Sequence, residues 1–254
     1  MDHEGLLNLG TELGCQLMAS GAEIYRVEES VQRLLSAYGL VPQVFAIPCC
    51  LIVSVNTPEG RPVTRMCRIP AHGLDIEQLE RCNDLCRRLC RDTPPLEEAR
   101  ALVAQVSDGT PQHPSHIQLL GYMMAAAFFA FFFGGSLWDG VSAALCGASV
   151  GICLLYGQHL TGSNVFFRTA VCSAVLSAMA MLLVELGVGE HLDTITIGTL
   201  MVLVPGMALT NAMREIMAGD IISGLHRSAE VILVGTAIAL GTALPLILVR
   251  GLGI

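Results

Sequence analysis

The sequence predicts an α-helical integral membrane bundle of five transmembrane helices, preceded by a small α+β cytosolic domain. Composition is the first reason: 53% of the 254 residues are hydrophobic and only 14% are charged, whereas soluble domains carry about 25% charged residues. Charge distribution is the second, because ten of the fourteen arginines and fifteen of the 22 acidic residues precede residue 110. We therefore expect a cytosolic domain over residues 1–112 and a transmembrane helical domain over residues 113–254.

Net charge and cysteine spacing argue against a nucleic-acid-binding protein and against a zinc-binding protein. A net charge of −8 argues against a nucleic-acid surface, which needs a basic face. Cys82, Cys86 and Cys90 recur every four residues and form one stripe of a helix. No Cys-x-x-Cys pair and no nearby histidine pair complete a tetrahedral zinc site. We expect these cysteines to pack in a core in the reducing cytosol, and we expect no metal and no cofactor.

The first domain shows helical periodicity, then three strand signals, then helical periodicity again. Apolar spacing predicts a helix over residues 4–38, interrupted at about Ala19–Gly21. Apolar runs bounded by turn residues predict three strands, Val41–Ile47, Leu51–Asn56 and Pro62–Ile69, with a turn at Thr57–Gly60. Further helices are predicted at Leu74–Arg91 and Leu96–Val106, and Asp108–Pro111 closes the domain. The expected form is a small three-stranded sheet covered by helices.

No catalytic motif occurs in this domain. It contains no Gly-x-Ser-x-Gly elbow, no His-Glu-x-x-His helix and no phosphate-binding glycine loop. His72 and His113 are isolated from other catalytic residue types. We therefore expect that the protein is not an enzyme. A membrane-anchored hydrolase that uses the first domain is the less favoured alternative.

The chain becomes membrane-like from His116 onward. Apolar runs predict five spans, at about 116–133, 140–156, 169–186, 194–209 and 231–249. Each has about 16–19 residues, near the lower limit for crossing ~30 Å of hydrocarbon. An alternative count of four treats 194–209 as a re-entrant segment. Gly147 and Gly151 in the second span permit the close approach of another helix.

Arginines set the expected orientation. With the first domain in the cytoplasm, Arg168, Arg214 and Arg227 lie on the cytoplasmic side, and only Arg250 lies outside. The acidic loop Glu190–Asp193 also faces outside, so the positive-inside rule is satisfied. Five spans then leave the C-terminus outside. We expect a multi-pass protein of the cell inner membrane with a cytoplasmic N-terminal domain.

A polar segment, Val204–Glu230, separates the last two apolar runs. Ionisable groups at or near a bilayer are costly, which makes this segment the candidate functional site. Pro205–Gly206 should loosen the end of the preceding span. Gly219 suits a helix C-cap and Asp220 suits the N-cap of the next helix, so two short helices are expected. The alternative is a cytosolic connector whose charges pair with one another and face water.

Two stretches resemble the threonine/serine exporter family. The first is Gly-Ala-Glu-Ile-Tyr-Arg-Val-Glu-Glu, from Gly21 to Glu29. The second comprises Pro205-Gly206, Thr210-Asn211-Ala212, Arg214-Glu215, Gly219-Asp220, Ser223-Gly224, Arg227 and Glu230. Glu215 stands where that family more often has aspartate. The two matches lie about 180 residues apart in the right order, and the resemblance covers essentially the whole chain.

The resemblance implies a membrane exporter of small amino acids such as threonine and serine. Relatives that split the transporter into two chains move dicarboxylates such as succinate, and the longest relatives fuse a second hydrophobic domain after the part seen here. Because this sequence stops at Ile254, it resembles the split form. We expect a second small membrane subunit of the same family, a homo-oligomer, or both. A non-transporting regulatory or scaffold subunit is the main alternative.

The expected substrate and ion pathway consists of Pro205, Gly206, Thr210, Asn211, Arg214, Asp220, Ser223, Arg227 and Glu230. Arg214 and Arg227 are candidates to bind a substrate carboxylate, helped by nearby helix N-termini. Asp220 and Glu230 are candidates to accept an ammonium group or to couple export to proton movement.

A second set of charges lies in the first stretch. Glu23, Arg26 and Glu28 are expected to form a docking or gating face that meets the membrane domain or a partner. The alternative is a solvated helix face, since Glu23 and Arg26 have the i,i+3 spacing of a local ion pair.

Overall fold

The computed structural model describes residues 2–57, 60–69, 73–107, 113–157 and 164–252. They divide into two compact units. The first unit comprises Met1–Thr110 together with Leu209–Ser228, and the second comprises Pro111–Ala208 together with Ala229–Ile254. The sequence-based boundaries did not assign residues 209–228 to the first unit. A cytoplasmic location of the first unit stays a prediction.

The first unit begins with two helices, α1 (His3–Ala19) and α2 (Ile24–Ala37), and the expected interruption between them is confirmed. Gly21 makes the break with a φ of +92°, which glycine adopts without steric cost because it has no Cβ. The Ala22 amide then donates to the Leu17 carbonyl at 3.0 Å. This bond satisfies one of the carbonyls left open where α1 ends.

Three antiparallel strands follow, β1 (Pro42–Ile47), β2 (Cys50–Asn56) and β3 (Pro62–Arg68), in the order β1-β2-β3. The three predicted strands are therefore confirmed. Leu51 and Val53 on the central strand are fully buried in one core with the leucines of α1. Alternation of side chains along a strand explains why only one face of the sheet carries this core.

Helices α3 (Ile76–Asp92) and α4 (Leu96–Ser107) complete the N-terminal part of the first unit. Cys82 and Cys86 are buried in its core, and Cys90 packs against that core, so the prediction of core packing is confirmed. Burial raises the pKa of the Cys82 thiol to about 11 and that of the Cys86 thiol to about 12. Both thiols stay protonated at neutral pH, as expected of inert packing groups.

One cysteine pair has no counterpart in the sequence-based prediction. Cys15 on α1 and Cys67 on β3 are joined as a disulfide, with their Cα atoms 6.7 Å apart. No spacing along the chain predicts this pair, because it depends on β3 lying beside α1.

The second unit contains α5 (Ser115–Phe132), α6 (Leu137–Tyr156), α7 (Val165–Glu185) and α8 (Leu192–Leu200). Glycines bring α5 and α6 together. A Cβ at Gly147 would lie 2.6 Å from the Tyr122 carbonyl oxygen, and a Cβ at Gly151 would lie 2.7 Å from the Tyr122 ring. The predicted close approach at these two glycines is confirmed, and it serves packing between neighbouring helices.

Within the described residues, four helices are long and apolar enough to cross a membrane: α5, α6, α7 and Ile221–Val249 of the last helix. A continuous span over 194–209 is wrong, because α8 ends at Leu200 and the next helix begins at Gly206. Pro205 explains the break. It has no N–H to continue the hydrogen-bond ladder, and it disfavours helical geometry at Val204.

The polar segment forms α9 (Gly206–Met217) and the start of α10 (Ile221–Leu252). The predicted caps are confirmed: Gly219 has a φ of +95°, and the Asp220 carboxylate accepts a hydrogen bond from the Ser223 amide at 3.2 Å. The second helix is not short, however. It continues for 32 residues into the last apolar run, because no proline and no cap interrupts residues 221–231.

Some predictions fall outside the described residues. These are the centre of the turn at Pro58–Glu59, His72, the closing segment Asp108–Pro111, and Ile254.

Candidate functional site

A buried ion pair lies at the centre of the candidate site. The Arg227 Nε atom on α10 is 3.1 Å from Glu215 Oε1 on α9. The Glu215 side chain is fully buried, and the Arg227 side chain is 9% exposed. Taking two charges out of water is costly, so each group depends on its partner and on further hydrogen bonds.

The ion pair also binds the turn between α1 and α2. Glu215 Oε1 accepts a hydrogen bond from the Ile24 amide at 3.2 Å, and Arg227 Nη2 donates to the Ala22 carbonyl at 2.7 Å. Ile24 is the first residue of α2, so its amide has no partner within its own helix. A carboxylate at a helix N-terminus is also favoured by the helix dipole. Glu215 therefore caps α2 from a position 191 residues away.

A second chain of charges runs beside the first. Arg214 Nη1 on α9 is 3.1 Å from Glu23 Oε1, and Arg26 Nε is 3.4 Å from Glu23 Oε2. Glu23 is 8% exposed at its side chain, whereas Arg214 and Arg26 are 56% and 60% exposed. The i,i+3 pair is therefore present, and Arg214 is a second, non-local partner of the same carboxylate.

Three polar atoms of this cluster are buried without a hydrogen-bond partner among the described residues: Glu215 Oε2, Ser223 Oγ and Arg227 Nε. Arg227 Nε lies within ion-pair distance of Glu215 but is not aligned to donate a hydrogen bond. Burial raises the pKa of Glu215, and Arg227 and the Ile24 amide oppose that effect only in part. Buried polar atoms are normally satisfied, so the cluster retains unused donor and acceptor capacity.

Backbone contact between α9 and α10 holds these side chains together. A Cβ at Gly224 would lie 2.4 Å from the Ile216 side chain and 2.9 Å from the Ala212 carbonyl oxygen. Only glycine at this position allows the two helices to approach so closely. Asn211 and Ser223, both predicted pathway residues, are buried on the same two helices.

Glu28 lies elsewhere on α2 and contacts the sheet. Its Oε1 accepts a hydrogen bond from the Ala46 amide of β1 at 2.8 Å. Burial raises the pKa of Glu28, the Ala46 amide lowers it, and Asp220 raises it further. This carboxylate therefore has a structural partner on the edge strand, and it is electrostatically coupled to the N-cap of α10.

The remaining predicted pathway residues show different degrees of burial. Gly206 and Thr210 are exposed on α9, whereas Pro205, Asp220 and Glu230 are half-buried. Pro205, Gly206 and Glu230 belong to the second unit, and the other predicted pathway residues belong to the first.

Sequence reasoning missed two features. It treated Glu215 only as a departure from a family pattern, yet this residue is the buried centre of the cluster. It also missed Asp139, which is fully buried and accepts hydrogen bonds from the Glu190 and His191 amides at 2.8 and 2.9 Å. The Ser136-x-x-Asp139 spacing forms a capping box and could have indicated this anchor.

Comparison with known families agrees with the two motifs that meet in this cluster. Residues 8–249 match the family model described as "Putative threonine/serine exporter". The chain belongs to the threonine/serine exporter family. The match covers both the turn before α2 and the α9–α10 segment, so the residues that form the cluster all lie within the family region.

The similar proteins found for this member of the threonine/serine exporter family are fungal. Pheromone-regulated membrane protein 10 of Saccharomyces cerevisiae is 25% identical over 238 residues, which are 90% of this chain and 30% of that protein. The proteins of the same name from Debaryomyces hansenii and Zygosaccharomyces rouxii are each 24% identical, over 90% of this chain and 23% and 24% of their own lengths. This chain thus spans less than a third of these relatives. No solved structure matches it.

Proposed function

We propose that the protein exports small amino acids of the threonine or serine type, or small dicarboxylates of the succinate type, as one subunit of a two-component secondary transporter in the inner membrane. The observation that carries this proposal is the interrupted helix between Leu200 and Gly206. Irregular backbone at membrane depth is tolerated only where it is buried in protein or lines a water-filled cavity. Such interruptions mark the substrate sites of many transporters.

Chain connectivity supports a crossing at this interruption. If α5, α6 and α7 each cross the membrane, the chain reaches the side opposite the first unit at Glu185. Leu209 belongs to the first unit again, so residues 186–208 must return. The nine residues of α8 rise about 13 Å as a helix, and the non-helical residues 201–205 extend further per residue, so the segment can approach the ~30 Å of hydrocarbon. The proposed fourth crossing is therefore a broken helix, with the first unit in the cytoplasm.

The two arginines of the polar segment suit different tasks. Arg214 is 56% exposed at its side chain and pairs with Glu23, so it can exchange that partner for an arriving carboxylate. Arg227 is buried and also donates to the Ala22 carbonyl. We assign Arg214 to the first contact with a substrate carboxylate. Arg227 then becomes available to the carboxylate when the turn before α2 moves.

The other pathway residues supply polar groups for the rest of the substrate. Asn211 and Ser223 are buried beside the ion pair, and Thr210 precedes them on α9; these are amide and hydroxyl groups that can hydrogen-bond a small polar solute. Asp220 and Glu230 are the proposed acceptors of an ammonium group or of protons. Pro205 and Gly206 provide the break that exposes the backbone at the start of α9.

An apolar surface on α9 and α10 supports a partner subunit. Met213, Met217, Ile222 and Leu225 are between 53% and 83% exposed, although they belong to the first unit. Large contiguous apolar patches mark interaction sites, and methionine side chains adapt to a partner surface. We propose that a second small membrane subunit, or a second copy of this chain, covers this face.

Export is measured with proteoliposomes loaded with labelled threonine, serine or succinate. The protein, purified in mild detergent together with whatever membrane subunit accompanies it, is expected to release at least one of these solutes faster than empty liposomes do. An intact complex that releases none of them would contradict the transporter proposal and favour the scaffold alternative. A monodisperse monomer that transports would contradict the need for a partner.

Two substitutions test the site. Arg227→Lys keeps the charge but loses the planar fork that bonds a carboxylate through two N–H groups, and Asp220→Asn keeps the N-cap but loses the charge. We expect both variants to lose export at matched protein levels. The thermal unfolding temperature is measured alongside. Full export in both variants would overturn the site assignment, and a loss of export with an equal loss of stability would assign these residues to architecture.

A further inference from the structure

A groove lies between α2 and α3, and Arg26 is one of the residues that line it. Its volume is about 660 Å³, within the range of about 300–1,000 Å³ typical of small-molecule sites. Four arginines line it, Arg26 and Arg33 from α2 and Arg87 and Arg91 from α3. Spacings of seven and four residues place each pair on one face of its helix.

This concentration of positive charge stands out in an acidic protein. The chain has only 14 basic residues and a net charge of −8, yet four of those arginines share one groove. Glu29 is the acidic residue among the groove lining, so the lining carries an excess of three positive charges. The fold holds these like charges close together, where they repel one another. Their combined positive potential favours binding of an anion.

The present partners of Arg33, Arg87 and Arg91 are exposed and easily exchanged. Arg33 pairs with Glu29 at 2.5 Å and Arg91 with Asp92 at 2.9 Å, and both arginine side chains are more than 70% exposed. Arg87 lies 3.6 Å from Asp84. Exposed pairs of this kind contribute about 0–1 kcal/mol each. An anion with two or more charged groups can therefore replace them through bidentate contacts with several guanidinium groups.

The floor of the groove is neutral and polar. Cys86 is buried there and Cys90 is half-buried, with Asn83 and Ser30 beside them. Burial raises the pKa of the Cys86 and Cys90 thiols, so they add no negative charge that would compete with an anion. The amide and hydroxyl groups of Asn83 and Ser30 can donate to anionic oxygens.

Arg26 connects the groove to the candidate transport site. Its Nε lies 3.4 Å from Glu23 Oε2, and the other oxygen of Glu23 lies 3.1 Å from Arg214. An anion that draws Arg26 into the groove removes one of the two cations on Glu23. Glu23 then pairs with Arg214 alone, which alters the availability of Arg214. Two ligands that bias one shared contact are coupled.

We infer that the groove between α2 and α3 is a regulatory binding site for a small polyanion bearing at least two carboxylate or phosphate groups. The inference goes beyond the proposed function, because anion binding can be measured whether or not the protein transports. The ligand is defined by its chemistry. Citrate represents a carboxylate-bearing polyanion, and pyrophosphate represents a phosphate-bearing one.

Isothermal titration calorimetry of the full chain in detergent, at low ionic strength, tests the inference. Citrate or pyrophosphate is expected to bind with one site per chain, and the double variant Arg87→Gln/Arg91→Gln is expected to bind at least about tenfold more weakly, a difference of about 1.4 kcal/mol. Preference for one probe identifies the ligand class. Circular dichroism confirms that the variant is folded.

Arg81→Gln is the matched control. Arg81 lies on the same helix and forms a similar exposed pair with Glu77 at 3.3 Å, but it is not among the residues that line the groove. We expect this variant to bind like the unmodified chain. Equal weakening by Arg81→Gln would reveal a general charge effect and overturn the assignment, as would the absence of binding by both probes.

Discussion

The Glu215 side chain connects three helices, α9, α10 and α2. It occupies no exposed surface, approaches Arg227 on the next helix, and caps α2 through the Ile24 amide. The same burial leaves Oε2 without a partner, so the residue is both an anchor and a reserve of hydrogen-bonding capacity.

Removing this carboxylate should be more harmful than removing the whole pair. Glu215→Leu leaves Arg227 buried without compensation, which costs about 3–5 kcal/mol of unfolding free energy. The double variant Glu215→Leu/Arg227→Met removes both charges and is expected to recover part of that loss. Thermal unfolding in detergent measures Glu215→Leu, Arg227→Met and the double variant, and the double-mutant cycle gives the coupling. Simple additivity of the two single changes would show that the pair is not coupled.

His191 should make stability depend on pH. Its Nδ1 lies 2.9 Å from the buried Asp139 carboxylate, whose hydrogen bond and charge raise the pKa of His191 above its ordinary value of 6.5. A raised pKa means that the stabilisation is fully present below pH 6.5 and is lost as the pH rises through the raised value.

We therefore expect the thermal unfolding temperature of the unmodified protein to fall over this interval. His191→Gln, which cannot become charged, should lack that part of the pH dependence. Asp139→Asn should lack it too, and it should also be less stable at every pH because it weakens the bonds to the Glu190 and His191 amides. Identical pH profiles for His191→Gln and the unmodified protein would refute the assignment.

At the scale of elements, small residues decide how α5 and α6 pack. Gly147 faces the α5 backbone at Tyr122, where an added Cβ would be 2.6 Å from a carbonyl oxygen. Backbone cannot yield as a flexible side chain can, so a methyl group forces the helices apart. Gly121 on α5 has no atom within 4 Å of the Cβ position and provides a control in the same helix pair.

Gly147→Ala is expected to destabilise the second unit by about 1–3 kcal/mol. Gly121→Ala should be neutral or slightly stabilising, because alanine is the better helix former. The measurement is the thermal unfolding temperature of each variant in the same detergent. A smaller effect at Gly147 than at Gly121 would mean that α5 and α6 do not approach as described.

At the scale of the whole molecule, the topology depends on residues 186–208. A crossing by this interrupted segment leaves the last helix to carry the chain outward. An alkaline phosphatase reporter fused after Ile254 is then expected to be active in the periplasm, and the same reporter fused after Ser107 is expected to be inactive. If only the reporter after Ser107 is active, the protein has the opposite orientation in the membrane. If neither reporter is active, residues 186–208 do not cross the membrane.

The local helices and strands follow from the amino-acid sequence. Periodicity and turn residues predicted α1, α2, the three strands and the helices through α7 to within a few residues, because these depend on neighbours along the chain. The Gly219–Asp220 caps were also predictable, since a positive φ and an N-cap each need particular residue types. The two motifs sufficed to indicate the family.

The contacts between the two motifs depend on the folded chain. Arg227 on α10 lies against Glu215 on α9 and against the Ala22 carbonyl before α2, and no spacing along the chain indicates these contacts. The sequence predicted one helix over 194–209 and two helices where α10 is one. Local propensity governs a single turn of helix, whereas a buried charge takes whichever partner satisfies it, and that partner can be 191 residues away.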